Sequence, residues 1–174
     1  IGYIKKTVSG DVMNIKKVRV DKEGAGMGWG AVYAQYLESM DQIGEQGNGL
    51  SVSRQLYKGD EALNESVPLK VGDKITVRLT VKADRDMDFV QIKDDRAACM
   101  EPLQAVSGFR WSNGLGYYQA TKDASTQFFI DQMRKGTYVI EYQVYVNRTG
   151  EYQAGIATVQ SAYAPEFGGH TGGY

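Results

Sequence analysis

The chain has 174 residues, enough for one domain that buries its own core, and 20 Lys plus Arg against 21 Asp plus Glu leave a formal net charge of -1. That balance removes any bulk attraction to nucleic acid or anionic lipid, and no run reaches the roughly 18 consecutive apolar residues that would span a bilayer as a helix. One cysteine rules out an internal disulfide, one histidine beside it falls short of a Cys/His zinc site, and 21 Gly with 12 Tyr against 3 Pro favour short strands joined by tight turns. No charged start followed by an apolar stretch marks a signal peptide. The chain opens on Ile1-Gly2-Tyr3, as expected of a processed product or an excised piece.

In chain order, strands are expected at residues 15–20 and 29–37. Between them GAGMGWG, Gly24 to Gly30, lacks the G-x-G-x-x-G spacing and is followed by no lysine, so it reads as a flexible loop rather than a phosphate cradle. A further strand is expected at residues 50–57. Gly72-Asp73 then forms a turn into KITVRLTVK, where Ile75, Val77, Leu79 and Val81 alternate with Thr76, Arg78, Thr80 and Lys82. Each inward side chain gains about 1.5–3 kcal/mol by leaving water, so this strand sets its own register.

Asp84, Asp86 and Asp88 alternate as calcium ligands do, but Phe89 stands where the loop needs glycine and no glutamate follows at the twelfth position. The stretch reads instead as a solvated strand edge, with Asp and Arg85 opposing stray pairing, ahead of a strand at residues 89–93. Over residues 118–133 a helical face of Thr121, Ala124, Phe128 and Gln132 competes with the β-rich residues 126–130; a strand at 126–131 is expected. In TYVIEYQVYV, Tyr138, Ile140, Tyr142, Val144 and Val146 share one face of a long strand. Asn147-Arg148-Thr149-Gly150 resembles a type I turn and predicts a hairpin with EYQAGIATVQSAY. The Gly-rich end, residues 168–174, reads as a loose tail. The whole is predicted to be all-β: a two-sheet antiparallel, immunoglobulin-like β-sandwich over residues 1–167, with 1–68 as elaborated N-terminal strands.

Few residues nominate themselves for chemistry. His170 lies in the tail without a visible orienting partner, which argues against a catalytic imidazole and closes Ser-His-Asp and Cys-His schemes. No spacing nominates a carboxylate pair. Cys99-Met100-Glu101-Pro102 is one residue away from the Cys-x-Glu-Gln pattern of an internal thioester. Pro102 has no carboxamide and Gln104 lies two residues too far, so the bond cannot form in this tetrapeptide. Cys99 reads as a small residue near a strand exit, its thiol possessing an ordinary pKa that Arg96 would lower somewhat.

The segments KVGDKITVRLTV, FVQIKDDRAACMEPLQ and KDASTQFFIDQMRKGTYVIEYQVYVNRTGEYQAGIATVQSAYAPEF, in that order, resemble the C-terminal macroglobulin-like domain of bacterial alpha-2-macroglobulin family proteins, of the Bacteroidetes type, over residues 69–167. The resemblance is carried by Val71-Gly72-Asp73, the loop Ala98-Cys99-Met100-Glu101-Pro102, Asp123 ahead of Phe128-Phe129, Lys135-Gly136-Thr137-Tyr138, Gly150-Glu151-Tyr152 and Tyr163-Ala164-Pro165-Glu166. WGAVYAQYLES followed by LSVSRQLY is similar to what precedes the core of this domain in such members. Cys99 takes the place of a glycine in the relatives' Ala-Gly-x-Glu-Pro loop.

The resemblance implies a β-sandwich without catalysis, cofactor or metal. It would be one domain of a large periplasmic or cell-envelope protein, attached to the membrane only through that parent, which traps proteases after cleavage of a bait region and holds them through a thioester in a separate helical domain. The expected partners are other domains of the parent and, through it, target proteases; nucleic acid is not among them. Trp111, Tyr117, Tyr118, Tyr163, Pro165, Glu166 and Phe167 are the candidates for interdomain contact, because large rigid aromatics carry most contact energy. Trp111 and Tyr163 could equally be core or sheet-cap residues. A second reading is a carbohydrate-binding sandwich, with Trp111, Tyr117 and Tyr118 flanking a Gly-rich loop as a sugar platform.

Overall fold

The computed structural model describes residues 2–10, 14–37, 39–64 and 67–173. It divides into two units, Ile1–Glu38 and Ser39–Tyr174. In the first unit no described residue is in a strand and all are exposed, so the strands expected at 15–20 and 29–37 are absent. Strand propensity is realised only against a partner strand and a second layer, and an isolated two-stranded ribbon is marginal in water.

The second unit begins with a 3-10 turn at Met40–Gln42. Its strands are β1 Gln46–Asn48, β2 Leu50–Lys58, β3 Glu61–Ala62, β4 Lys74–Ala83, β5 Met87–Asp95, β6 Met100–Pro102, β7 Gly108–Ser112, β8 Leu115–Thr121, β9 Ser125–Met133, β10 Gly136–Val146, β11 Ala157–Ser161 and β12 Gly168–His170. Hydrogen bonding runs β6-β10-β4-β2-β1-β12-β11-β5-β9-β8-β7, with β3 on β2. The path doubles over at the short strands β1 and β12. One antiparallel sheet, β6-β10-β4-β2, thereby faces a second, β11-β5-β9-β8-β7.

The core lies between them. Ile75, Val77, Leu79 and Val81 of β4 and Ile140 and Val144 of β10 belong to the same buried cluster as Val90, Ile92, Phe128, Ile130 and Val159 of the other sheet. The alternation that predicted β4 and β10 appears as a buried-exposed rhythm along both, and their register sets Val144 against Ile75 and Tyr142 against Val77. Residues 118–133 are strand throughout except for the β8–β9 turn, because Phe128 and Ile130 must both face the opposite sheet.

Three local expectations fail, each for a tertiary reason. β10 and β11 form no hairpin: β10 lies between β4 and β6, β11 between β5 and β12, and residues 147–156 cross from one sheet to the other. Asn147 anchors that crossing, its N–H donating to the Cys99 carbonyl at 2.8 Å and its side-chain amide to Glu101 at 3.1 Å. The tight hairpin is instead β7–β8, whose Asn113 and Gly114 both take positive φ, +50° and +79°, the mark of a type I′ turn.

Asp84 and Arg85 do not guard a sheet edge. They pair with each other in the β4–β5 connection, Asp86 accepts the Lys135 N–H at 2.7 Å, and β5 is flanked on both sides by other strands. The Gly-rich end is likewise not loose. Gly168, Gly169 and His170 form β12, and a Cβ at Gly169 would stand 2.7 Å from the Leu50 carbonyl oxygen, so glycine is what lets the backbones approach. Tyr174 lies outside the described residues.

Candidate interaction surface

The two outer faces of the sandwich differ in chemistry. On the first sheet the outward residues are mostly polar and charged, with Tyr57, Val139 and Tyr145 among them: Thr76, Arg78 and Thr80 of β4 lie beside Glu141 and Gln143 of β10, and Arg78 pairs with Glu141 while lying 4.4 Å over the Tyr57 ring. On the second sheet, register carries an aromatic row across three strands. Phe109 of β7 is opposite Tyr118 of β8, and Tyr118 is opposite Phe129 of β9. Phe109 and Tyr118 meet edge to face at 5.1 Å. Trp111, two residues along β7, faces Gly116, and a Cβ there would come within 2.8 Å of the indole, so the ring covers bare backbone on one side. Phe109 remains 82% exposed and Trp111 76%.

The same face continues onto β5 through a strained residue. Phe89 has φ +54°, a left-handed conformation that costs a large L-residue about 1–2 kcal/mol. It resets the strand's phase, so that Met87 and Val90, three residues apart, both point inward while Phe89 stays outside. Its carbonyl accepts the Ala162 N–H at 2.8 Å, and its ring meets Tyr163 edge to face at 5.1 Å.

Of the residues expected to make contacts, Trp111, Tyr118 and Tyr163 lie at the surface, and Tyr163 is 80% exposed; neither Trp111 nor Tyr163 is a core residue. Pro165 and Glu166 are exposed in the loop that follows Tyr163, where the Glu166 carbonyl accepts from the Asn48 side chain at 2.7 Å. Phe167 is half-buried against the core with the Arg85 guanidinium 4.5 Å above it. Tyr117 departs from expectation: its neighbour Tyr118 takes the outward position, so Tyr117 faces inward, buried and edge-on to Phe128 at 5.7 Å. Sequence reasoning missed Phe109, Phe129 and Phe89. The Asn113-Gly114 dipeptide was the available signal, since a two-residue turn there pairs Phe109 with Tyr118. Phe128-Phe129 was another, since neighbours on a strand face opposite ways.

The interior holds a polar cluster on inward positions of three strands. Arg54 of β2 donates to Asp94 Oδ1 of β5 at 2.6 Å and to the Gly155 carbonyl, and the Tyr142 hydroxyl of β10 donates to Asp94 Oδ2 at 2.7 Å. Asp94 is 1% exposed. Its burial pushes the carboxyl up, against the pull of Arg54 and Tyr142, and burial with the nearby Asp94 charge pushes the Tyr142 phenol well above its usual range. With both carboxylate oxygens held, the cluster braces the two sheets and offers no free acid or base. Cys99 packs with Ala97 and Ala154, and burial raises its thiol rather than Arg96 lowering it. The Arg96 guanidinium is engaged elsewhere, on Thr126 Oγ1 at 2.7 Å and the carbonyls of Lys122 and Asp123. Among the described residues no cluster of metal-binding side chains occurs.

Residues 49–166, well over half of the chain, match the family described as the bacterial alpha-2-macroglobulin MG10 domain. The chain belongs to that family. This MG10 domain is similar in fold to Escherichia coli alpha-2-macroglobulin activated by porcine elastase, with a TM-score of 0.64 and 16% identity over 75% of this chain and 13% of that one. Salmonella alpha-2-macroglobulin reacted with methylamine gives a TM-score of 0.62 and 19% identity over 74% of this chain and 9% of that one. The native E. coli protein from domain MG7 to its C-terminus gives 0.61 and 16%, over 73% and 22%. A curated relative, Circularly permutated Ras protein 2 of Dictyostelium discoideum, is 26% identical in an alignment 159 residues long that covers 87% of this chain and 4% of that protein. The MG10 chain therefore spans a small fraction of the proteins it matches.

Proposed function

We propose that this MG10 domain is a non-catalytic docking module of a larger, extracytoplasmic protease-trapping protein of the alpha-2-macroglobulin kind. The aromatic outer face of β7, β8, β9 and β5 is the surface that meets another domain of the parent, and its loops help shield a thioester carried elsewhere. Membrane attachment, where it occurs, runs through the parent. The observation that carries this reading is the contrast between the two outer faces. One is mostly polar and charged, while the other sets Phe109, Trp111, Phe129 and Phe89 in the open, the residue types that dominate contact energy when desolvated. Phe89 holds its exposed ring at the expense of backbone strain, as residues at functional sites often do. The solved relatives support the domain's place in a larger chain, since it corresponds to 13% and 22% of two of them.

Trp111 provides the test. In a Trp29→Phe background it is the one tryptophan of this chain, and its fluorescence and iodide quenching are to be compared between the chain alone and the parent, with the parent's other tryptophans replaced. Burial against a neighbouring domain shifts the emission to the blue and protects it from iodide. An unshifted, fully quenched signal in the parent would sink the docking reading. A blue shift of the isolated chain on adding oligosaccharides, lost with Tyr118→Ala, would favour the sugar platform instead.

A further inference from the structure

β7, Gly108–Ser112, ends the hydrogen-bonded path and pairs with β8 alone. Its two-residue turn at Asn113-Gly114 closes on Ser112 and Leu115, and a turn of this kind closes on a pair that exchanges both backbone hydrogen bonds. Such pairs alternate along an antiparallel ladder, so Arg110 and Gly108 also bond to β8, and the N–H and C=O of Phe109 and Trp111 point away from it. Thr121 is in phase with this: two residues beyond Gln119, the partner of Gly108, it turns its N–H to the β7 side and donates to Ser107 Oγ at 3.0 Å. The edge is open along Phe109 and Trp111. Sheet edges are commonly blunted by lysine, proline or a bulge. β7 contains no lysine or proline and keeps an unbroken register from Gly108 to Ser112.

The side chains along this edge define what fits it. Phe109 and Trp111 lie outward, 82% and 76% exposed. Arg110 lies on the other side, opposite the buried Tyr117; burial raises the Tyr117 phenol and the neighbouring Arg110 charge partly offsets that rise. The Arg110 guanidinium is incompletely bonded. Its Nη2 donates to the Val106 carbonyl at 3.3 Å, its Nε is buried with no acceptor, and none of the ion pairs among the described residues involves it. A buried donor left without an acceptor is a cost that a partner can remove. We propose that β7 accepts an extended strand of the pattern apolar–acidic–apolar from another polypeptide, added antiparallel with its acid opposite Arg110 and its apolar residues opposite Phe109 and Trp111. The incoming backbone bonds the open groups of Phe109 and Trp111, which places the acid at the intervening position, where facing side chains come closest. A second copy of this chain is a poor occupant, because two-fold pairing about the middle of β7 sets one Arg110 against the other. The inference goes beyond the docking face proposed above, since it concerns the open backbone of β7 and the charge on its inner side.

A phage-displayed library of random peptides about nine residues long, a common strand length, panned on the 174-residue chain, tests it. The enriched peptides are expected to place Asp or Glu between two apolar residues. Panned on Arg110→Glu, the same library should enrich Lys or Arg at that position, and Arg110→Gln, the milder change, should abolish the preference for an acid. Synthetic copies of the acidic peptides should slow hydrogen exchange at the Phe109 and Trp111 amides about 10-fold or more at saturation, and bind Arg110→Glu about 10-fold or more weakly. No enrichment, the same motif from the natural chain and from Arg110→Glu, or peptides that bind without slowing those two amides would each overturn the proposal. Slow exchange of the two amides in the chain alone, appearing only at high concentration, would overturn it in favour of a second copy. If the motif is enriched while Trp111 stays solvated in the parent, the edge stands and the docking face fails; the reverse result removes the edge alone.

Discussion

The Tyr142 hydroxyl donates a 2.7 Å hydrogen bond to Oδ2 of Asp94, tying β10 of one sheet to β5 of the other within the apolar core. Arg54, reaching across from β2, closes on the other carboxylate oxygen at 2.6 Å. Arg54→Met strips a buried carboxylate of its countercharge and is expected to lower stability by about 3–5 kcal/mol. Tyr142→Phe leaves one oxygen without its donor and should cost about 1–3 kcal/mol. Urea denaturation measures both, and the double variant should lose less than the sum, because the two act on one carboxylate. A loss below about 1 kcal/mol for Arg54→Met would mean that the cluster does not brace the sheets.

Stability should fall at both ends of the pH range. The folded protein keeps the Tyr142 proton that the unfolded chain releases near pH 10, so this contribution is complete below about pH 10 and lost as pH rises further. At the acid end, hydrogen bonds from Lys58 and the Lys70 N–H hold the Asp73 carboxyl below the ordinary aspartate value of about 3.9. Its contribution is present above that value and lost as pH falls through the folded pKa. Thermal melts across pH check this: Tyr142→Phe should flatten the alkaline limb and Asp73→Asn the acid limb.

Gly114 has φ +79° in the β7–β8 turn. Gly114→Val forces a β-branched residue into the left-handed region and is expected to cost about 1–2 kcal/mol. An unchanged melting temperature would contradict the type I′ geometry that sets Phe109 beside Tyr118.

Cys99 is buried against Ala97 and Ala154, and its thiol is raised by that burial. A disulfide reagent should react slowly with the native protein and promptly in urea. Cys99→Ser should change stability by less than about 1 kcal/mol, whereas Cys99→Leu, which overpacks the site, should cost about 1–3 kcal/mol. Rapid labelling of the native thiol would show that the loop opens readily.

The strands at the centre of the sandwich were legible because they carry their own instructions. Period-two alternation in KITVRLTVK and TYVIEYQVYV dictates which side chains face the core, and burial follows it residue by residue. The order of turn and loop motifs from Val71-Gly72-Asp73 to Tyr163-Ala164-Pro165-Glu166 was enough to indicate the family. The Asn113-Gly114 turn is equally local and joins two strands that do pair, whereas the strands flanking Asn147-Arg148-Thr149-Gly150 separate into different sheets.

What sequence alone determined, then, was the inward set of each long strand and the family, because both depend on residues near one another in the chain. Tertiary structure decided which strands pair, and with them the Arg54–Asp94–Tyr142 brace and the aromatic row from Phe109 to Phe129. It also decided that the tail is a strand while residues 29–37 are not. The physical reason is common to all of these. A strand's hydrogen bonds and covering layer come from distant segments, so its propensity states only what it can become, and the available partner settles what it is.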